Sequence, residues 1–212
     1  MKFISGAEYQ RLAQDAEVLE RDAFGDKVLL CKDDRIIKLF RIKRLLSLSF
    51  FYPYSVRFAR NARHLNRVGI PSVQVEQLFY CPSIRRHGVV YPLLQGETLD
   101  HLLEESQDED GLMSQLAKFI AELHKKKIYF RSLHLGNILQ LPDGRLGLID
   151  VADLSFSLTP LSIWQRRRNF RHLLRRPEHR VVFEQFGIDR FIEYYLDAAD
   201  IPQQKRAEFQ TL

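Results

Sequence analysis

Apolar residues recur along this chain with two periods, and the change from one to the other divides it. In the first half, short apolar runs alternate with turn residues. Val18–Arg21 leads into a turn at Ala23–Asp26 that holds Gly25, then come Val28–Leu30, a Lys32-Asp33-Asp34 turn and Ile36–Phe40. Paired turns between such runs predict an antiparallel meander. Residues 6–15 read as a short helix ahead of it. Residues 55–68 place Phe58, Ala62, Leu65 and Val68 on one helical face, and Gly69 and Pro71 stop that helix. Val73–Tyr80 and His87–Leu94 read as a further strand pair around Ser83–Arg86.

Beyond Gly96 the helical period dominates. Leu99–Glu105 reads as a short helix and residues 106–110 (SQDED) as a solvated acidic loop. Residues 112–126 form an amphipathic helix whose stripe of Leu116, Phe119, Ile120 and Leu123 is ordinary core packing. Ile128–Leu139 reads as one arm of a hairpin that turns at Pro142-Asp143-Gly144 into Leu146–Asp150, and the chain is helical from about Ser162. The expected class is α+β in two lobes, a sheet-rich one over 1–95 and a helical one over 96–212.

Composition narrows the class of protein. The chain has 212 residues, 45% hydrophobic and 28% charged, which excludes a disordered chain, a collagen-like fibre and a disulfide miniprotein. The net charge of +5 favours an anionic partner. Cys31 and Cys81 lack metal-ligand spacing and read as buried thiols of a reducing compartment. The N-terminal residues do not read as a signal peptide and no apolar run is long enough to span a membrane, so the expected location is cytoplasmic. Trp164–Arg180 holds seven arginines and one acid, Glu178. At helical spacing Phe170, Leu173 and Leu174 would face inward and the arginines outward. That pattern suits a solvated helix, or contact with an anionic glycan or the inner membrane face. No nucleic-acid motif accompanies the charge, so no nucleic-acid partner is expected.

The candidate chemistry lies in Tyr129-Phe-Arg-Ser-Leu-His-Leu-Gly-Asn-Ile-Leu139 and the following Leu148-Ile-Asp-Val-Ala-Asp153. A loop Asn, a hairpin and an Asp after an apolar strand can bring an amide oxygen and a carboxylate to one place. That pair suits a hard cation such as Mg²⁺ on nucleotide phosphates. His124 and His134 lack zinc spacing and read as structural. Ser132 has no Gly-x-Ser-x-Gly context and does not read as a hydrolase nucleophile.

The Leu133-His134-Leu135-Gly136-Asn137 loop resembles that of the protein-kinase-like superfamily. Within it, the basic aromatic stretch Arg41–Tyr54, the helix end Arg67-Val-Gly-Ile-Pro71 and the arginine-rich stretch after Asp153 resemble the lipopolysaccharide core kinase family. That family includes heptose and Kdo kinases and the toluene-tolerance and ice-nucleation-associated proteins. The resemblance implies a two-lobed kinase-like fold with ATP and Mg²⁺ as cofactors. Asn137 and Asp150 take the metal-binding positions and Lys38 a phosphate-binding one. Gly25 sits in the phosphate-covering turn, and Tyr91 and Leu93 in the adenine-binding hinge. Asn61 stands where the family has a Glu that pairs with the lysine. Ser132 stands where it has the acceptor-orienting Asp, and Arg131 or the arginine-rich stretch would meet anionic substrate. The implied activity is ATP-dependent phosphorylation of a sugar hydroxyl of the lipopolysaccharide core. The Ser132 and Asn61 departures set an alternative beside it: a pseudokinase that binds nucleotide, a partner or the membrane without phosphotransfer. The Arg41–Tyr54 stretch also has the composition of a membrane-interface segment.

Overall fold

The computed structural model describes residues 1–41 and 53–209, so most of the Arg41–Tyr54 stretch lies outside the described residues. The chain divides into two compact units, Met1–Gln95 and Gly96–Leu212.

The first unit is a six-stranded sheet in the order β1-β5-β6-β4-β3-β2. Its strands are β1 (Lys2–Phe3), β2 (Glu17–Asp22), β3 (Gly25–Leu30), β4 (Arg35–Arg41), β5 (Gln77–Cys81) and β6 (Arg86–Pro92). The meander expected from the turns is there. Pairing is antiparallel except at the edge, where β1 joins β5 in parallel, a two-residue strand too short to leave a periodic signal. β5 begins four residues later than the apolar run suggested. The Asn66 side chain explains this: it bonds the Ser72 amide and the carbonyls of Ser72 and Val73, which holds that stretch as a loop.

Successive side chains of a strand point to opposite faces, and β4 is buried on both. Ile37 and Leu39 enter a core with Ile4, Leu29, Phe79, Cys81 and Val90, against which Tyr9, Leu12 and Ala13 of the α1 segment (helix Gly6–Leu12) pack. The other face, with Lys38 and Phe40, meets α2 (Tyr54–Arg67) through the fully buried Phe58. Gly88 of β6 is required by this packing, because a Cβ there would lie 2.2 Å from the Phe79 ring. Cys31 is half-buried rather than buried; Cys81 is buried, and both are free thiols.

The second unit is mostly helical: α3 (Leu99–Glu105), α4 (Glu109–Lys125), α5 (Ile163–Leu173), α6 (Pro177–Phe186), α7 (Ile188–Ala198) and α8 (Gln203–Arg206). Helix α4 starts inside the acidic stretch expected to be loop. Asp108 caps it by accepting from the Gly111 amide at 2.9 Å, and Glu109 and Asp110 occupy its first turn, where negative charge meets the positive end of the helix dipole.

Ile128–Leu139 is not one hairpin arm. It is split into β8 (Ile128–Phe130) and β9 (Ile138–Gln140) by a loop with a 3₁₀ turn at Leu135–Asn137. β9 pairs with β10 (Leu146–Leu148) and with β7 (Glu97–Thr98), whereas β8 pairs with β11 (Leu154–Phe156). The arginine-rich stretch is likewise two helices, because Pro177 lacks an amide hydrogen and opens α6. Its arginines do not all face outward. Arg166 is half-buried and donates to the Leu161 carbonyl at 3.2 Å and the Tyr195 hydroxyl at 3.2 Å, and Leu174 is only half-buried.

Candidate functional site

In the first unit the candidate residues gather around one ring. Lys38 lies in the middle of β4, 7% exposed, with its Nζ 5.8 Å from the centre of the Phe58 ring. Phe58 also packs against Phe40 and Tyr91 at 5.7 and 5.5 Å between centroids. Asn61, one turn after Phe58, is on the buried face of α2. Lys38, Asn61 and Tyr91 therefore share the side of the sheet that α2 covers. The Leu93 amide is already committed: it donates to the Asp34 carbonyl at 2.7 Å. An adenine bond from Leu93 would have to use its carbonyl.

Gly25 closes a tight hairpin rather than a long flexible loop. Asp22 pairs with Gly25 across the Ala23-Phe24 turn, and Gly25 has φ 114°, a region open to glycine. The turn is held from below by the buried Arg86. Its guanidinium donates to Asp22 Oδ1 at 3.1 Å and to the Phe24 carbonyl at 2.9 Å, while Asp22 Oδ1 accepts from the Phe24 amide at 2.8 Å. Hydrogen bonds from Arg86 and from the Phe24 amide hold the Asp22 carboxyl below the usual range. Nothing in the sequence distinguished Arg86 from a surface arginine.

In the second unit the loop after β8 carries Arg131, Ser132 and Asn137, and a backbone bond sets Asn137 against the segment that leads to Asp150. The Asn137 Nδ2 donates to the Ser132 carbonyl at 2.9 Å, and the Asn137 carbonyl accepts from the Ile149 amide at 3.0 Å. The second bond places Asn137 beside the residue preceding Asp150. Asp150 has φ 53° and ψ 44°, a left-handed conformation that breaks the strand after β10. An amide oxygen and a carboxylate on adjacent segments fit a hard, oxygen-seeking cation such as Mg²⁺. The Ser132 hydroxyl donates to Asp153 Oδ2 at 3.3 Å. Asp153 is one residue that sequence reasoning missed, since a second acid after a metal-type Asp carries no signal until the 3₁₀ turn at Val151–Asp153 folds it back. Arg131 is exposed beside Ser132.

The loop rests on a buried polar chain. The Asn169 Nδ2 donates to the Phe130 carbonyl at 2.7 Å, and the Asn169 Oδ1 is 3.1 Å from His124 Nε2. His124 Nδ1 is 2.8 Å from the Tyr195 hydroxyl. Burial pushes His124 down to about 3, so the ring is neutral, and pushes the Tyr195 hydroxyl up to about 12. Burial also takes His134 down to about 4, helped by the charge of Arg176; its ring packs 5.6 Å from that of His179 on α6. His124 is thus bonded on both ring nitrogens, whereas His134 Nδ1 is buried with no hydrogen-bond partner among the described residues.

No family model matches the sequence, and no curated protein matches it. Solved structures do. A structure of the bifunctional kinase-methyltransferase WbdD matches with a TM-score of 0.50 at 14% identity, over 87% of this chain and 44% of that one. A structure of monomeric WbdD also matches at 0.50 and 14%, over 82% and 44%. The fold is protein-kinase-like. This chain spans less than half the length of those proteins.

Proposed function

We propose that the protein is a Mg²⁺-ATP phosphotransferase acting on a sugar hydroxyl of the lipopolysaccharide core. The observation that supports this reading is the Ile149–Asn137 backbone bond, which sets Asn137 beside the residue preceding Asp150, on a loop whose sequence resembles the kinase type. Asn137 and Asp150 would hold the metal, Lys38 the phosphates, and Arg131 the anionic acceptor. The metal would neutralise charge on the transferring phosphoryl group. Ser132 would orient the accepting hydroxyl through one hydrogen bond.

The test is isothermal titration with ATP, with and without Mg²⁺, on wild type and Asp150→Asn. Asn tolerates the left-handed backbone at 150, so the substitution removes charge rather than shape. Affinity should depend on Mg²⁺ in the wild type and lose that dependence in the variant. Equal affinity under all four conditions refutes the metal assignment.

The position of Ser132 favours a second reading, a nucleotide-binding module without phosphotransfer, because a serine hydroxyl is no useful base near neutral pH. Ser132→Asp separates the two. A slow kinase should release ADP about tenfold faster with core fragments present, since positioning and charge govern this chemistry. A binding module should show no gain and weaker ATP binding, as a new anion would sit beside the phosphates.

A further inference from the structure

Beside the loop lies a group of cations with no evident counter-charge. Asn169 ties α5 to the end of β8 by its 2.7 Å bond to the Phe130 carbonyl. Arg131 directly follows Phe130 and Arg168 directly precedes Asn169, so this bond brings the backbones of the two arginines close together. His172 lies one helical turn beyond Arg168, and Arg175 follows three residues later, its amide donating to the His172 carbonyl at 3.3 Å, so 168, 172 and 175 fall on one side of α5 and its C-terminal turn. Arg168 lies 5.1 Å from the ring of Trp164, which steadies its guanidinium. Among the described residues no carboxylate pairs with Arg131, Arg168 or Arg175.

His172 supplies the second observation. Its Nε2 is buried and has no hydrogen-bond partner among the described residues. Buried polar atoms are nearly always partnered, and an unpartnered nitrogen on the same side as Arg168 and Arg175 suits an anion. Burial, and then the charges of Arg168, Arg175 and Arg131, hold His172 below its ordinary range. A bound anion would relieve that repulsion.

We infer that Arg131, Arg168, His172 and Arg175 form a subsite for a phosphate group. Guanidinium forks match phosphate oxygens in planar, paired bonds. The recessed Nε2 favours a discrete phosphate over a flat bilayer, whose headgroups meet exposed side chains. On the phosphotransfer reading proposed above, the subsite grips a phosphate already carried by the acceptor, next to the Ser132 loop. The acceptor class narrows accordingly to phosphorylated glycans.

The experiment is titration of the full chain with inorganic phosphate, free of Mg²⁺ so that the Asn137–Asp150 pair takes no part. Two spectroscopic readouts accompany it: the His172 imidazole resonances and the fluorescence of Trp164, the single tryptophan. Saturable binding should move both. Arg168→Gln and Arg175→Gln should each weaken it about tenfold, the scale of one charge-assisted bond, while Arg145→Gln, on the exposed turn after β9, should leave it unchanged. Unmoved His172 resonances in the wild type overturn the subsite, whatever the variants do. So does binding to anionic phosphatidylglycerol vesicles without binding to phosphate, which would make these arginines a membrane contact. Phosphate binding without Mg²⁺-dependent ATP binding keeps the subsite and removes the phosphotransfer reading; the converse removes the subsite alone.

Discussion

Lys38 and Asn137 are both buried polar side chains, 7% and 6% exposed, yet opposite means hold them in place. Lys38 sits on a seven-residue strand with hydrogen-bonded neighbours on both sides and an aromatic ring above it. Asn137 sits between strands of three residues each. Such strands supply few ladder bonds, so the loop takes its shape from side chains: Asn137 on the Ser132 carbonyl, Asn169 on the Phe130 carbonyl, and His124 and Tyr195 behind them. Strand pairing on both sides fixes the backbone at Lys38, and side-chain bonds to backbone carbonyls fix it around Asn137.

The comparison predicts different modes of failure. Phe58→Ala should be the most costly, about 3–5 kcal/mol, as expected for a large ring removed from a fully buried site. Chemical denaturation measures this, and a loss below about 1 kcal/mol would mean the ring is not what carries the Lys38 face. Asn169→Ala should cost about 2–4 kcal/mol, because it strands the Phe130 carbonyl and the His124 ring. Its particular signature is in the loop: hydrogen exchange at Leu133–Asn137 should quicken far more than at β4. Uniform acceleration across both units would erase the distinction drawn here.

Acid should attack the polar side first. His124 has its folded pKa pushed down to about 3 from 6.5, so the unfolded chain takes up a proton that the native one refuses. Stability is therefore intact above about pH 6.5 and declines as pH falls from there toward 3. His124→Gln should flatten the fall of the unfolding midpoint over that window; an unchanged slope would place the acid lability elsewhere. The smallest effect concerns the turn at Gly25. Arg86→Leu keeps bulk but removes the bonds to Asp22 and Phe24, and should cost about 1–2 kcal/mol. Nuclear magnetic resonance should then show the Asp22 carboxyl titrating closer to its usual range. A carboxyl that stays depressed would give the Phe24 amide the main role.

Most of the first unit was legible because its signals are local. Ile36–Phe40 and the Lys32-Asp33-Asp34 turn announce a hairpin within a few residues. Phe58, Ala62 and Leu65 announce a helical face. The split of Ile128–Leu139 was not legible, since β8 finds its partner at Leu154–Phe156, beyond a complete hairpin. Three apolar residues there look the same whether they pair near or far. At the site, Asn137 and Asp150 were conspicuous through their spacing. Asp153, Asn169 and Arg86 were not, because each acts through long-range bonds that no periodicity encodes.

The left-handed backbone of Asp150 has an evolutionary corollary. A residue with a side chain spends about 1 kcal/mol or more to hold φ near 53°, and glycine would hold it freely. Selection for thermal robustness alone would thus push position 150 toward glycine, and a library screened only for survival on heating should enrich it. An acid that persists there under such pressure, once the screen also demands nucleotide binding, would mark the codon as one kept for what it does rather than for how the chain folds.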